Sequence, residues 1–84
     1  ILNTEELAAE LIKFLNANYP GVLEEKYGVE PSDDAYVLLA GIARSRNCLL
    51  KGSELDTEKA ALLLLDDFRN GKLGRLTLEY PQEV

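Results

Sequence analysis

The chain has 84 residues, of which 46% are hydrophobic, and its net charge at neutral pH is −6. This length accommodates one small domain, and the hydrophobic content is that of a folding sequence. One cysteine and no histidine exclude both an intrachain disulfide framework and a zinc site built from thiolate and imidazole ligands.

The same composition bounds the setting of the protein. No apolar run approaches the roughly 20 residues of a membrane-spanning helix, so we expect no membrane partner. A lone cysteine fits a reducing, cytoplasmic compartment. Ile1 is not a methionine, so we expect residues 1–84 to form a single domain of a longer protein.

Charge is distributed unevenly along the chain. Residues 1–43 contain two cations and eight acids, whereas residues 44–75 contain seven cations and five acids. An acidic half joined to a mildly basic half indicates a directed contact surface.

The first predicted helix begins after Asn3, which forms a capping-box pattern with Glu6. The helix ends at the sequence Tyr19-Pro20-Gly21. A short second helix is predicted over Val22–Tyr27. Pro20 is expected to lead into it at the N1 position, and Gly28 to end it. The apolar stripe predicted to bury the first helix comprises Leu7, Leu11, Phe14 and Leu15, widened by Ala8 and Ile12.

The third predicted helix begins at Ser32 as the N-cap, with Asp33 and Asp34 in its first turn. Gly41 lies in its middle at a cost of about 1 kcal/mol relative to alanine, so we expect a close approach by another group. The helix ends in the basic sequence Arg44-Ser45-Arg46-Asn47. Its predicted buried positions are Ala35, Leu38, Leu39, Ile42 and Ala43.

The fourth helix is the longest apolar-rich stretch, and Asp56 is its predicted N-cap. Gly71 is expected to adopt the left-handed conformation that ends many helices. Its predicted buried stripe is Ala61, Leu64, Leu65 and Phe68. After the loop, Leu76, Leu78 and Tyr80 alternate with polar residues, which predicts a short extended arm. The fold class is therefore all-α, with three main helices, one short helix and a C-terminal arm, and we expect a monomer.

The sequence provides no catalytic pair. A nucleophile needs an adjacent base, and neither a histidine nor an activating lysine accompanies the serines. The loop Gly71–Gly74 differs from a nucleotide-binding loop, which lies between a strand and a helix and has Ser or Thr after its lysine. We therefore expect a non-enzymatic chain that holds no metal or cofactor.

Two acids in the last turn of the fourth helix, Asp66 and Asp67, oppose the helix dipole. We expect Asp66 to pair with Arg69, and Asp67 to pair with Arg44 or Arg46. The alternative is that one of the two acids orients a neighbouring cation towards a ligand.

Six cations are the candidate site residues. They follow the third helix or flank the fourth, where glycines leave backbone N–H groups free to join lysine and arginine in binding phosphate. Composition alone leaves two interpretations open, which are phosphate-backbone binding and a solvated surface. The six are Arg44, Arg46, Lys51, Arg69, Lys72 and Arg75.

Several segments together resemble the C-terminal domain of the ribosome biogenesis GTPase A family, a circularly permuted GTPase family. The resemblance covers nearly the whole chain and is most specific in the run Asp67–Arg75. The other segments are Asn3–Ala8, Tyr19-Pro20, Tyr27-Gly28, Ile42–Arg46, Cys48–Gly52, Asp56 and Ala60-Ala61.

The resemblance implies a helical domain that contacts ribosomal RNA during assembly of the large ribosomal subunit. It implies that GTP and magnesium bind to a separate GTPase domain, and that the basic positions of the family correspond to the six cations above. Asn47 and Ser53 stand where we expect glycine in this family, although asparagine tolerates left-handed backbone angles.

A second interpretation makes the chain a docking module that packs on its own GTPase domain without binding RNA. Leu62 and Leu63 lie off the core stripe of the fourth helix. Exposure of both would favour docking, whereas an open cationic patch would favour RNA.

Overall fold

A computed structural model describes residues 2–74, which contain four α-helices. The residues Arg75–Val84, and with them the predicted arm and one candidate cation, lie outside the described part of the chain. The predicted all-α class is confirmed. The helices are α1 (Thr4–Asn18), α2 (Val22–Tyr27), α3 (Ala35–Ser45) and α4 (Thr57–Arg69), with a single 3-10 turn at Lys51–Ser53.

The N-terminal caps of α1 and α4 are those that the sequence predicts. Asn3 accepts a hydrogen bond from the Glu6 amide at 2.8 Å, and the Glu6 carboxylate accepts one from the Asn3 amide at 3.1 Å. Asp56 accepts from the Lys59 amide at 3.0 Å. Each carboxylate or amide oxygen thus satisfies backbone donors that a helix leaves unpaired in its first turn.

Two predicted helix starts are wrong by a few residues. Asp34, and not Ser32, is the N-cap of α3, because its carboxylate accepts from the amides of Tyr36 and Val37. Ser32 instead accepts from the Asp34 amide at 3.0 Å, which forms a turn before the helix. Pro20 is not the first residue of α2, because Gly21 caps that helix with a left-handed φ of 92°.

The core lies between α1, α3 and α4, and α2 closes one end. Every predicted buried position of α3 is buried. The α1 and α4 stripes are only partly correct, since Leu7 is 47% exposed and Phe14, Leu65 and Phe68 are half-buried. Both helices are rotated so that small residues face the core, and these are Ala8 and Ala9 of α1 and Ala60 and Ala61 of α4.

Gly41 has the close neighbour that its position in α3 predicts. A Cβ atom at this residue would lie 3.1 Å from Cγ1 of Val29. The connector between α2 and α3 therefore packs directly on the α3 backbone. No helix in the described part of the chain is both long enough and apolar enough to cross a membrane.

Candidate nucleic-acid interface

Helix α3 ends in a Schellman motif that presents two arginines. Asn47 adopts a left-handed φ of 58°, and the amides of Asn47 and Cys48 donate to the carbonyls of Arg44 and Ala43. Arg44 and Arg46 are both exposed. The left-handed turn thus provides hydrogen-bond donors for the last carbonyls of the helix and leaves both arginines exposed at the surface.

Helix α4 ends in the same motif. Gly71 has a φ of 74°, and the amides of Gly71 and Lys72 donate to the carbonyls of Phe68 and Asp67. Leu73 is buried and anchors the loop, while Lys72 before it is exposed. The predicted left-handed glycine is confirmed, and it fixes the backbone position of Lys72.

Tyr27 at the end of α2 connects these two helix ends. Its hydroxyl donates to the Asp67 carboxylate at 2.7 Å, and its carbonyl accepts from the Ser45 hydroxyl at 2.6 Å. The predicted partner of Asp67, an arginine from the end of α3, is therefore replaced by a tyrosine. Burial, then the hydrogen bond and the charge of Asp67, hold the pKa of Tyr27 well above its usual range, while Arg46 opposes this rise.

The two arginines of α3 differ in how strongly they are held. The guanidinium of Arg46 donates to the Lys26 carbonyl at 3.0 Å and lies 5.0 Å from the centroid of the Tyr27 ring. The guanidinium of Arg44 makes no hydrogen bond or ion pair with the described residues. Two contacts thus hold the guanidinium of Arg46, whereas the described residues make no comparable contact with that of Arg44.

Lys26 belongs to the same surface, although it is not among the six cations that the sequence predicts. It lines a shallow cleft of about 360 Å³ together with Val22, Lys72 and Gly74. The arginines of α3 were predicted from their position at the end of a helix. Lys26 lies in the last turn of α2 and meets the same criterion. We name Lys26, Arg44, Arg46 and Lys72 the basic end of the domain.

Curated relatives match this chain over nearly its full length. Ribosome biogenesis GTPase A of Bacillus cereus is 37% identical over 84 residues, which are 99% of this chain and 28% of the relative. The proteins of the same name from Priestia megaterium and Bacillus licheniformis are 34% and 31% identical, and each match covers 100% of this chain and 30% of the relative. The chain belongs to the ribosome biogenesis GTPase A family.

Within ribosome biogenesis GTPase A, this chain corresponds to the C-terminal domain and spans less than a third of the length of the relatives it matches. No protein-family model matches it. Asn47 and Ser53, the two departures from the expected glycines of this family, both have a left-handed φ, of 58° and 68°. Both residues therefore adopt a backbone conformation that glycine favours.

Of the other candidate cations, Lys51 and Arg69 do not line the cleft that holds Lys26 and Lys72. Lys51 lies in the turn before α4, and the 13 residues of α4 separate it from Lys72 by about 20 Å. Arg69 pairs with Asp66 at 3.1 Å, as predicted, and lies beside α1. Arg75 lies outside the described residues.

The described residues hold no cluster of three potential metal ligands. Cys48 is 1% exposed, and its thiol lies 4.0 Å from the Arg46 carbonyl. A buried thiol three residues after the end of α3 packs the turn, and this favours a packing role over a reactive one.

Proposed function

We propose that this chain is the RNA-contacting domain of a ribosome-assembly GTPase and positions that enzyme on the immature large ribosomal subunit. The observation that carries the proposal is the basic end, where two Schellman motifs and the residue Tyr27 gather cations from three helices. Lysine and arginine held beside turns supply the charge and geometry that phosphate groups need.

In this proposal the domain contributes binding and no chemistry. GTP and magnesium act in the part of the parent protein that lies outside this chain, and the whole protein works in the cytoplasm. Arg44, Arg46 and Lys72 neutralise ribosomal RNA phosphates at the basic end, with Arg75 following directly after the described residues. Lys51 and Arg69 reach phosphates on other faces, so the RNA wraps around the end of the domain.

The acidic half of the chain restricts how RNA approaches. Glu25 lines the cleft that holds Lys26 and Lys72, and Asp66 already pairs with Arg69. At the basic end, RNA contact is therefore centred on the side on which Arg44, Arg46 and Lys72 are exposed.

A second candidate function is docking on the GTPase domain of the same protein. Leu62 of α4 is 51% exposed, and this exposure favours docking. Leu63, which the sequence placed off the core stripe, is half-buried and packs on the core. The exposed apolar surface that Leu62 and Leu63 offer on α4 is therefore smaller than the sequence suggested.

The two candidates differ in how RNA affinity depends on salt. Each neutralised phosphate contributes about −0.7 to −0.9 to the slope of log affinity against log salt. The double variant Lys72→Ala, Arg75→Ala should weaken binding of the 84-residue chain to a large-subunit precursor and flatten that slope by roughly 1.5.

The control is the double variant Lys13→Ala, Lys59→Ala, which removes the same net charge from exposed positions of α1 and α4. We expect its salt slope to match that of the wild type. An equal loss of RNA affinity in both double variants would show that the effect arises from net charge alone. If the wild-type chain shows no salt-dependent binding to the precursor, the RNA proposal is wrong, and docking is the better account.

A further inference from the structure

An apolar groove lies between α1 and α4. It has a volume of about 520 Å³, and we name it the α1/α4 groove. Glu10 and Arg69 are the charged residues of its lining. The apolar residues of the lining are Leu7, Leu11, Phe14, Leu65 and Phe68.

Side chains in this groove are more exposed than their spacing in the sequence predicts. Leu7 is 47% exposed, and Phe14, Leu65 and Phe68 are half-buried. Leu7, Leu11 and Phe14 follow one another at helical spacing along α1, as Leu65 and Phe68 do along α4. Each helix therefore presents a continuous apolar strip to the groove, and such a surface is typical of an interaction site.

The course of the two helices favours a helix as the occupant of the groove. α1 and α4 begin side by side, because the Thr57 hydroxyl donates to the Glu5 carboxylate. Phe14 and Phe68, which lie near the ends of the two helices, line the same groove, so α1 and α4 run in the same direction. An amphipathic helix that lies along such a groove satisfies its own backbone hydrogen bonds and inserts apolar residues spaced three or four apart.

An extended peptide is a poorer match for this groove. Such a peptide needs the free edge of a β-sheet to pair its backbone N–H and C=O groups. Residues 2–74 contain one isolated β-bridge, between Leu49 and Leu55, and neither residue lines the groove. The described part of the chain therefore offers no backbone partner to an extended peptide in the groove.

The end of the groove at which α1 and α4 begin is acidic. Glu5 and Glu58 line one small cleft at this end, and Glu6 is exposed immediately before Leu7. The ion pairs of residues 2–74 involve other acids, so no cation in the described part of the chain neutralises these three carboxylates. We name Glu5, Glu6 and Glu58 the acidic end of the groove.

Farther along the groove the charges cancel. Glu10 pairs with Lys13 at 3.3 Å, and Arg69 pairs with Asp66 at 3.1 Å. A partner helix with lysine or arginine in one terminal turn therefore gains electrostatic attraction at the acidic end and meets no net charge elsewhere. An acidic helix would meet three like charges at that end.

We propose that the α1/α4 groove binds an amphipathic helix from a separate, basic protein, with the cations of that helix at the acidic end. A second copy of this chain matches less well, since α1 has three acids and one cation and α4 has three acids and two cations. The choice of a separate protein rests on the function proposed above, because proteins that share an RNA surface carry an excess of cations. The groove and its acidic end do not depend on that function.

Two synthetic peptides of roughly 15 residues, long enough to form a helix, test the proposal in the absence of RNA. Both carry leucines at helical spacing, and the last turn contains lysines in one peptide and glutamates in the other. In a titration of the 84-residue chain, the lysine peptide should shift the NMR signals of the Leu7, Leu11 and Leu65 methyl groups. It should bind at least about tenfold more tightly than the glutamate peptide, and equal affinity for the two would overturn the proposal.

Neutralisation of the acidic end should weaken binding of the lysine peptide. The double variant Glu6→Gln, Glu58→Gln keeps the capping box of α1, because glutamine fills the same role there, and it should lower the affinity by roughly 2- to 30-fold. The matched control Glu25→Gln, Glu30→Gln removes the same charge from exposed positions outside the groove, and its affinity should equal that of the wild type. Equal affinities of the two double variants would overturn the proposal.

A change in the apolar lining tests the groove itself. Leu7→Ala should lower the affinity for the lysine peptide by about fivefold or more, because Leu7 would pack on the bound helix. Leu50→Ala is the control, since Leu50 is 50% exposed, close to the 47% of Leu7, and lies outside the lining. A wild-type affinity of Leu7→Ala would overturn the proposal.

Other occupants of the groove give different results. Signals of the Leu7 and Leu65 methyl groups that shift when the chain is diluted without peptide would show that a second copy fills the groove. A chimera in which this chain replaces the matching residues of the Bacillus cereus relative tests the rest of the GTPase. If the lysine peptide binds the 84-residue chain but not the chimera, the rest of the GTPase covers the groove. Either result, or no methyl shift with the lysine peptide, would overturn the proposal.

Discussion

The hydroxyl group of Tyr27 donates a 2.7 Å hydrogen bond to the carboxylate of Asp67, a residue 40 positions later in the chain. The bond joins the end of α2 to the last turn of α4. The Ser45 hydroxyl donates to the carbonyl of the same tyrosine, so one residue holds the ends of three helices. The geometry of the basic end depends on this residue.

Tyr27→Phe should lower the free energy of unfolding by about 1–3 kcal/mol, because it removes a hydrogen bond to a charged group and leaves Asp67 without it. Chemical denaturation of the 84-residue chain measures this. Tyr36→Phe is the control, since Tyr36 is 52% exposed and its substitution should stay within about 0.5 kcal/mol of the wild type. Equal effects of the two variants would show that the bond to Asp67 contributes nothing.

The raised pKa of Tyr27 predicts a loss of stability in alkali. Burial, the bond to Asp67 and the charge of Asp67 keep this phenol protonated in the folded state. An unfolded tyrosine loses its proton near pH 10. The stabilisation is therefore complete below about pH 10 and declines as pH rises further, with a slope of at most about 1.4 kcal/mol per pH unit.

Denaturation series between pH 8 and pH 11 measure this decline. Lysines titrate in the same range, so the informative quantity is the difference between the wild type and Tyr27→Phe. We expect that difference to shrink as pH rises above 10. A constant difference would show that Tyr27 ionises as readily in the folded chain as in the unfolded one.

The two arginines of α3 should separate RNA affinity from stability. Arg46→Ala should lower the free energy of unfolding by about 1–2 kcal/mol, because it removes a cation–π contact and a hydrogen bond. Arg44→Ala should change stability by less than about 0.5 kcal/mol. If both contact phosphate, each should reduce the salt slope of RNA binding by about 0.7 to 0.9.

Parallel measurements of Tm and of salt-dependent RNA affinity check this pair. Arg44→Ala is the more informative variant, since a loss of affinity at unchanged Tm cannot arise from unfolding. Unchanged affinity in Arg44→Ala would remove this residue from the proposed interface.

The two left-handed residues that are not glycine should respond differently to substitution by glycine. Ser53 has a φ of 68°, beside Gly52 at 81°, in the turn where the Leu50 amide donates to the Glu54 carbonyl at 2.7 Å. Ser53→Gly should raise the free energy of unfolding by up to about 1 kcal/mol, because it relieves the left-handed strain of a residue with a Cβ atom.

Asn47→Gly should be close to neutral, because asparagine tolerates left-handed angles. Thermal melting of the two single variants makes the comparison. A gain in Asn47→Gly larger than that in Ser53→Gly would contradict the assignment of strain to the serine.

The sequence predicts three helix ends and the buried face of α3 correctly, but it misplaces the starts of α2 and α3 and shifts the faces of α1 and α4. Asn3, Asp56 and Gly71 were placed correctly, because capping depends on a few neighbouring residues with specific side chains or backbone freedom. The α1 and α4 faces were shifted because an apolar stripe shows which residues prefer burial and not which neighbour covers them. The alanines of both helices allow closer packing on the alanine side, and this rotation left Leu7 exposed.

At the candidate site, too, the sequence does not show which elements become neighbours. Helical periodicity identified the arginines that follow the buried part of α3, but it could not show that Lys26 of α2 lies beside Lys72. Lys26 and Lys72 lie near each other because the Tyr27 hydroxyl donates a hydrogen bond to Asp67, and these two residues are far apart in sequence. For the same reason the sequence grouped Lys51 with Lys72, although the length of α4 separates them.

Within the described residues α1 packs more extensively on α4 than on any other helix, and the Thr57 hydroxyl donates to the Glu5 carboxylate where the two helices begin. During translation α1 is therefore made long before its main partner. At roughly 5–20 residues per second, the segment between these helices takes about 2–8 s to synthesise. Throughout that interval the side of α1 that packs on α4 stays uncovered in the nascent chain, while α2 and α3 become available to cover its other contacts.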